Sequence, residues 1–316
     1  MEHEDYPISL SELEKKFKTD QDCRNYLFKN RWPDGFVCPK CSAKEFTLLG
    51  ELYRCKKCRK QISITSGTIF HRSHIPLNTW FRAIWWVTSQ KNGASALGLK
   101  RVLGLGSYET AWLMLHKLRR AMVRPGRDRL NGFVEVDEAY IGGLEEGMRG
   151  RKIEKKSLVA IAAEFDGKKI GRIRLKRINE ASAESLHQFI KEVIEPGTVV
   201  YTDGWNGYEN IGGKGYIHKI TVLSKKKSKS GLLPYAHLVI SLLKRWLMGT
   251  HQGAVSHDHL EYYLDEFTFR FNRRTSRSRG KLFYRLIQQA AHTGHTQYAK
   301  IIKKSCQSTT DSMLVS

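Results

Sequence analysis

Residues 133–143 read FVEVDEAYIGG, a run of β-branched and aromatic residues with a carboxylate at its centre and a glycine pair at its end. Such a run reads as a strand. Working outward, KSLVAIAAEF (156–165) and KIGRIRLKRI (169–178) are two more strands joined by the turn Asp166-Gly167. ASAESLHQFIKEVI (181–194) has helical periodicity, and GTVVYTDGW (197–205) is a strand that stops at Asp203. HKITVLS (218–224) is a shorter strand, PYAHLVISLLKRWLMG (234–249) a helix, and SHDHLEYYLDEFTFRFNRR (256–274) another.

The order β-β-β-α-β-β-α, with Asp137 on the first strand and Asp203 ending the fourth, matches the ribonuclease H-like arrangement. In that fold the first and fourth strands are neighbours, so the two carboxylates are expected close together at the sheet edge. Carboxylates that near repel unless a cation lies between them, which is how a divalent-metal site for phosphoryl transfer is built. The helix 234–249 bears on this. His237, Ser241 and Lys244, spaced i, i+4, i+7, form a polar stripe on an otherwise apolar helix. Alone, such a stripe is a solvent face; beside two carboxylates it becomes a candidate wall of the site.

The chain has 316 residues, of which 41% are hydrophobic, so it can bury real cores and divides into several modest domains. Fifty-four Lys and Arg against 31 Asp and Glu give a formal net charge of +23. An excess of that size points to a polyanion partner, nucleic acid first. No apolar run approaches a membrane span, and the opening MEHEDYPISL is acidic where a signal peptide is basic. A cytoplasmic protein with no membrane partner is expected.

Four of the six cysteines form two C-x-x-C turns, Cys38/Cys41 and Cys55/Cys58, separated by 13 residues. Each turn presents two thiolates to one tetrahedral ion, so the pair of turns is the framework of a zinc ribbon, with strands around them. Cys23 and Cys306 are isolated and suit free thiols in a reducing compartment. Ahead of the ribbon, residues 8–30 read as two short helices, capped by Ser9 or Ser11 and by Asp20 or Asp22. Behind it come LNTWFRAIWWVTSQ, SALGLKRVLG and SYETAWLMLHKLRRAM, with glycines 104 and 106 between the last two and Ser107 as a natural N-cap. Helix, glycine turn, then a helix carrying Lys117, Arg119 and Arg120 is similar to helix-turn-helix, so those three are expected to contact DNA.

RWPDGFVCPKC, YRCKKC, SGTIF, SYETAWLMLHKLR, VEVDEAYIGG, VYTDGWNGY, LKRWLMGTHQG and YLDEFTFRFNRR follow in that order. Together they resemble the bacterial insertion-sequence transposases with an amino-terminal zinc ribbon and an ISXO-two-like DDE-type catalytic domain. The resemblance covers nearly the whole chain. It implies a multidomain α+β protein: a helical segment (1–30), the zinc ribbon (31–74), a helix-turn-helix-like segment (75–124), a ribonuclease H-like catalytic domain (131–250) and a basic C-terminal helical extension (251–316). It also implies a DNA transposase, nucleoid-associated, that acts on element ends and target DNA as a homodimer or higher oligomer. Structural Zn²⁺ and catalytic Mg²⁺ or Mn²⁺ are its implied cofactors.

By the same resemblance Asp137 and Asp203 are the first two acidic positions. The third, usually Glu, lies seven residues before a lysine; counting back from Lys244 lands on His237. The motif is therefore Asp-Asp-His followed by Lys. A neutral imidazole is a sound ligand that favours Mn²⁺ more than an all-oxygen site does, and it must be deprotonated, so activity should fall in mild acid. The implied mechanism is two-metal phosphoryl transfer: Asp137 bridges the metals, Asp203 and His237 each hold one, and Lys244 reaches a phosphate. Glu135 shares the strand face of Asp137 while Glu138 points away. His251 reads as a hydrogen-bonded loop residue or a catalytic one, and His218, opening a strand, carries the same two readings. Arg270, Arg273 and Arg274, with Arg277, Arg279, Lys281 and Arg285, read as a phosphate-contacting surface, and the lysine run 225–229 as a loop near the site. The rival readings are a non-catalytic zinc-ribbon DNA-binding protein descended from a transposase, and a structure-specific nuclease such as a junction resolvase.

Overall fold

The computed structural model describes residues 4–124, 126–142, 156–221, 233–253, 255–297, 299 and 301; the lysine run 225–229 and Cys306 lie outside them. Two layers of structure form in succession, an amino-terminal helical and ribbon layer and then a sheet covered on both faces.

The first two helices are α1 (Leu10–Lys16) and α2 (Asp20–Arg31). Ser9 caps α1 by accepting the Glu12 N–H. The cap of α2 is Thr19, in a reciprocal capping box with Asp22, rather than Asp20 or Asp22 themselves. Asp20 instead accepts the N–H groups of Leu77 and Asn78 at the start of α3 (Leu77–Ser89), which has no side-chain cap of its own. Between them lies the ribbon: β1 (Phe46–Leu49), β2 (Leu52–Cys55) and β3 (Gln61–Ser63), an antiparallel sheet in that order.

Helix α3 buries Trp80, Phe81, Ile84 and Trp85, each such side chain contributing about 1.5–3 kcal/mol. Helix α4 (Ala96–Leu103) ends at Gly104 in the left-handed region (φ 63°), and α5 (Tyr108–Ala121) starts at Ser107, whose hydroxyl accepts the Thr110 N–H. The last helix, α9 (Arg279–His292), returns to this layer. Its Phe283, Leu286 and Ile287 share one core with Leu27, Phe81, the ribbon's Cys38 and Cys55, and Leu118.

The second layer is the five-stranded sheet β4 (Phe133–Ile141), β5 (Ser157–Asp166), β6 (Lys169–Ile178), β7 (Val199–Thr202) and β8 (Ile217–Ile220), ordered β6-β5-β4-β7-β8. β4 is antiparallel to β5 and parallel to β7. First and fourth strands of the domain are thus neighbours, and the fold is α+β with a ribonuclease H-like sheet. β5 is buried along residues 157–163, which is why its sequence is apolar on both alternations. On one face α6 (Ala183–Val193) packs Leu186, Phe189 and Ile190 against Val134, Val136 and Val200. On the other, α7 (Pro234–His251) and α8 (Leu260–Asn272) pack Val239, Leu243, Leu264 and Phe267 against Val159, Ile161 and Ile173. The segment 251–316 is therefore not one packing unit among the described residues: α8 belongs to the sheet's core and α9 to the amino-terminal core.

Candidate active site and zinc centre

Alternation along β4 sorts its carboxylates. Glu138 turns toward the α6 face, where the buried Tyr208 hydroxyl donates to it at 2.6 Å. Glu135 and Asp137 turn toward α7. Strand register pairs Glu135 with Tyr201 of β7, so carrying it two residues further sets Asp137 opposite Asp203. On Asp137, one oxygen accepts the Glu138 N–H at 2.9 Å and the other lies 3.3 Å from Nε2 of His237. Burial pushes the Asp137 carboxyl up to about 6, against the pull of the Glu138 N–H, and the charge of Asp203 adds to the rise. Asp203 accepts the Trp205 N–H at 3.0 Å. Asp137, Asp203 and His237, expected to act together, thus converge from β4, the end of β7 and the first turn of α7.

Two carboxylates beside an imidazole are a donor set that suits a hard or borderline divalent cation. The three do not close as tightly as the cysteines do. Among the described residues, Cys38, Cys41, Cys55 and Cys58 alone form a group of three or more His, Cys, Asp or Glu with all ligand atoms within 4.8 Å.

Helix α7 is set by two devices. Pro234 at its first turn supplies a preformed helical φ but no N–H. Leu233, at the cap position, offers no side-chain acceptor. Glu135, buried on β4, fills that role from a distance: one of its oxygens accepts both the Tyr235 and Ala236 N–H groups at 2.8 Å. The residue before Asp137 on its strand face therefore fixes the helix that carries His237. The sequence marks the shared face of Glu135 and Asp137 but not this contact, because the partner helix lies a hundred residues on.

Ala236, Val239, Ile240, Leu243 and Leu247 of α7 are buried, whereas His237 is half-exposed and Ser241 and Lys244 are exposed. Lys244 lies beside Ile141, at the end of β4, on a cavity of about 180 Å³ that it shares with Ser157 and His257. Those last two are hydrogen-bonded at 2.6 Å, a pairing with no signal in the sequence. His218 bonds the Thr202 hydroxyl at 2.8 Å, and His251 is packed between Trp246 and Tyr263.

The ribbon's cysteines pair across turns, with Sγ–Sγ distances of 3.6 Å for Cys38–Cys58 and Cys41–Cys55. A tetrahedron with zinc–sulfur bonds of ~2.3 Å has edges of about 3.8 Å, so the four thiols fit Zn²⁺. Burial disfavours the Cys38 thiolate, but the N–H groups of Lys40 and Cys41 outweigh it and draw its pKa down to about 6, toward the form that ligates zinc.

The basic residues divide. Arg120 is exposed, as expected of a DNA contact. Lys117 and Arg119 are not on that surface: they are 6% and 2% exposed, because the C-terminal half of α5 lies between α8 and α9. The Arg119 guanidinium donates to Glu266 at 2.8 Å and stacks 4.0 Å above Tyr263. Arg270 is likewise committed inward, to Glu266 and to the carbonyls of Val87 and Gln90. Burial raises the Glu266 carboxyl, but Arg270 and Arg119 hold it at about 2. Arg273 and Arg274 stack over Phe269 and Phe271, and Arg274 also donates to the carbonyls of Phe271 and Gly171.

Residues 129–272 match the model of the ISXO2-like transposase domain and residues 18–61 that of a transposase zinc-ribbon domain. The chain thus carries a segment similar to the ISXO2-like transposase domain behind one similar to a transposase zinc ribbon. An archaeal relative, described as an uncharacterized protein in transposable element ISH50 of Halobacterium salinarum, is 27% identical over 300 residues, covering 88% of this chain and 98% of that one. Solved structures similar to this chain include a simian T-cell lymphotropic virus intasome (13% identity, TM-score 0.31, 60% of this chain and 70% of that one). The Mos1 strand transfer complex is another (13% identity, TM-score 0.27, 67% and 74%). At those values the fold is read from the strand order and not from the likeness. No helix among the described residues is long and apolar enough to cross a membrane.

Proposed function

We propose that this chain binds the ends of its insertion sequence and catalyses metal-dependent DNA cleavage and strand transfer at Asp137, Asp203 and His237. The observation that carries the reading is the meeting of Asp137 and His237 at 3.3 Å beside Asp203, inside the segment that matches the transposase domain. Mg²⁺ or Mn²⁺ held by these three side chains would supply Lewis-acid stabilisation of the attacking and leaving oxygens. The chain's own residues do the rest. Glu135 fixes the helix that presents His237, and Lys244, exposed two turns further along, binds a phosphate next to the reacting one. The zinc ribbon, the exposed Tyr108 and Glu109 at the start of α5, and Arg120 face the DNA; Arg273 and Arg274 contact its backbone. Joining two ends calls for at least a dimer on the DNA, in the cytoplasm where the nucleoid lies.

A non-catalytic DNA-binding protein is the second reading, favoured by a histidine at the third acidic position. The test is strand transfer by the purified protein on duplexes carrying the sequences that flank its gene, in Mg²⁺ and in Mn²⁺, beside Asp137→Asn and Asp203→Asn. Joined products from wild type, reduced by about a thousandfold or more in either variant, are expected if the carboxylates hold the charge of the transition state. Binding without cutting in both metals would establish the second reading instead.

A further inference from the structure

A cavity of about 1000 Å³ that Asp203 does not line opens between the linker after α5, strand β6 and the helices α8 and α9. β6 is one of the sheet's two edge strands, two places from β4 and three from β7. At ~4.8 Å per strand it lies about 10 Å from the strand of Asp137 and about 14 Å from that of Asp203. Arg124, Arg127, Arg174, Arg273, Lys281 and Arg285 line it. A second cavity of about 870 Å³ shares Arg273 with it, so the two run together along α8.

The acids near this cleft do not balance it. Asp128 lies 3.3 Å from Arg124, Glu164 is taken by Arg172, and Asp265 is near Arg127 without forming an ion pair. Among the described residues Arg127, Arg174 and Arg273 have no ion pair, and Arg174 is 5% exposed with only the carbonyls of Asp128 and Ile173 as partners. Burial pushes Arg273 down to about 10, and the charges of Arg285 and Arg124 add to it; burial, then Arg127 and Arg172, do the same to Arg174. Cations crowded in this way are favourable only with an anion among them.

The chain itself supplies one. Glu4 pairs with Lys281 at 3.2 Å and with Arg285. Its segment is strapped to α9: Tyr6 contacts the Tyr284 ring, and the Pro7 carbonyl lies where a Cβ on Gly280 would stand, 1.8 Å away.

From this we infer that the cleft is a second DNA site, a seat for the phosphate backbone outside the catalytic centre, and that the Glu4 carboxylate occupies part of it until DNA displaces it. This rests on the transposase reading and adds to it where the flanking duplex runs. Contacts of this kind carry no sequence information, so the cleft serves target DNA and element ends alike.

The test is fluorescence anisotropy of a labelled duplex binding the full-length, zinc-loaded protein between ~50 and ~200 mM salt, with no Mg²⁺ or Mn²⁺ added. The double variant Lys281→Glu/Arg285→Glu alters side chains nearly half exposed, and Lys281→Gln/Arg285→Gln serves as its milder counterpart. The charge reversal should weaken binding by about tenfold or more and lower the slope of log K against log salt by about two, ~0.9 for each phosphate no longer neutralised. Glu4→Gln should strengthen binding by about threefold. Unchanged affinity and slope in both double variants, with the melting temperature of wild type, would overturn the cleft, and an unchanged Glu4→Gln would overturn its occupation by Glu4. Failure of wild type to bind any duplex overturns the transposase reading itself, a different result from wild-type binding that ignores the cleft.

Discussion

In the ribbon, four cysteines from residues 38–58 bring their sulfurs within 4.8 Å of one another, and the rest of that segment is turn and short strand. In the sheet, Asp137, Asp203 and His237 come from three elements spread over a hundred residues, and only one pair of them is in contact, at 3.3 Å. The first site is a local arrangement that holds a small segment together. The second is a product of the whole fold: it exists because β4 and β7 are neighbours and because Glu135 pins the helix opposite them. A site of the first kind should fail with its ligands, and one of the second kind with its supports.

The largest effect expected from that contrast is at the ribbon. Structural zinc contributes ~10–16 kcal/mol to folding in small zinc modules. Cys38 and Cys55 also sit in the same core as α2, α3 and α9. Cys38→Ser, or chelation of the metal, should abolish zinc binding and unfold the amino-terminal layer, seen as loss of helical circular dichroism. Unchanged melting after zinc removal would mean the ribbon is not a staple.

The next effect probes a support between the layers. Glu266→Ala leaves Arg119 and Arg270 buried without their acid and should cost about 3–5 kcal/mol, measured by denaturant unfolding. Its pH dependence has a definite sign. The folded-state pKa of Glu266, about 2, is below the ordinary carboxylate value of 4.5, so its contribution is complete above pH 4.5 and lost as pH falls toward 2. Glu266→Gln should remove that part of the acid transition; an unaltered profile would sink this assignment.

A smaller effect separates support from ligand within the proposed active site. Glu135→Ala strands two buried N–H groups and should cost about 1–3 kcal/mol. Its strand-transfer rate should fall while DNA affinity holds, and Glu135→Gln, which keeps one acceptor oxygen, should recover part of the rate. Equal loss of rate and affinity would argue against a positioning role. Smallest of all, Asp20→Ala removes the distant cap of α3 and should lower stability by about 1 kcal/mol without touching activity.

What the sequence makes legible follows the same division. Contacts made within a few residues are readable: the C-x-x-C turns, the Ser9 and Ser107 caps, the Asp166-Gly167 hairpin, the alternation that separates Glu135 from Glu138. The strand order is readable too, because the β-β-β-α-β-β-α pattern admits few topologies. Long-range partnerships are not. Asp20 looks like a cap for the helix it opens, yet it caps the next one, which begins at Leu77. Arg119 and Arg270 look like DNA contacts because basic residues late in a helix usually face solvent. Arg119 turns inward because Glu266, 147 residues on, is aimed at it from α8, and Arg270 because the distant carbonyls of Val87 and Gln90 accept its guanidinium. The charge excess is real, but which cations are free to meet a polyanion is decided by where the acids fall after folding.

His237 is where the contrast is sharpest, since the motif resemblance implies a Glu where this chain has a histidine. The direct test is strand transfer by His237→Ala and His237→Glu beside wild type, in Mg²⁺ and in Mn²⁺. Loss of joined products in His237→Ala, with products kept or increased in His237→Glu and most clearly so in Mg²⁺, is the predicted result. Cutting and joining by His237→Ala at the wild-type rate would contradict it and remove α7 from the site.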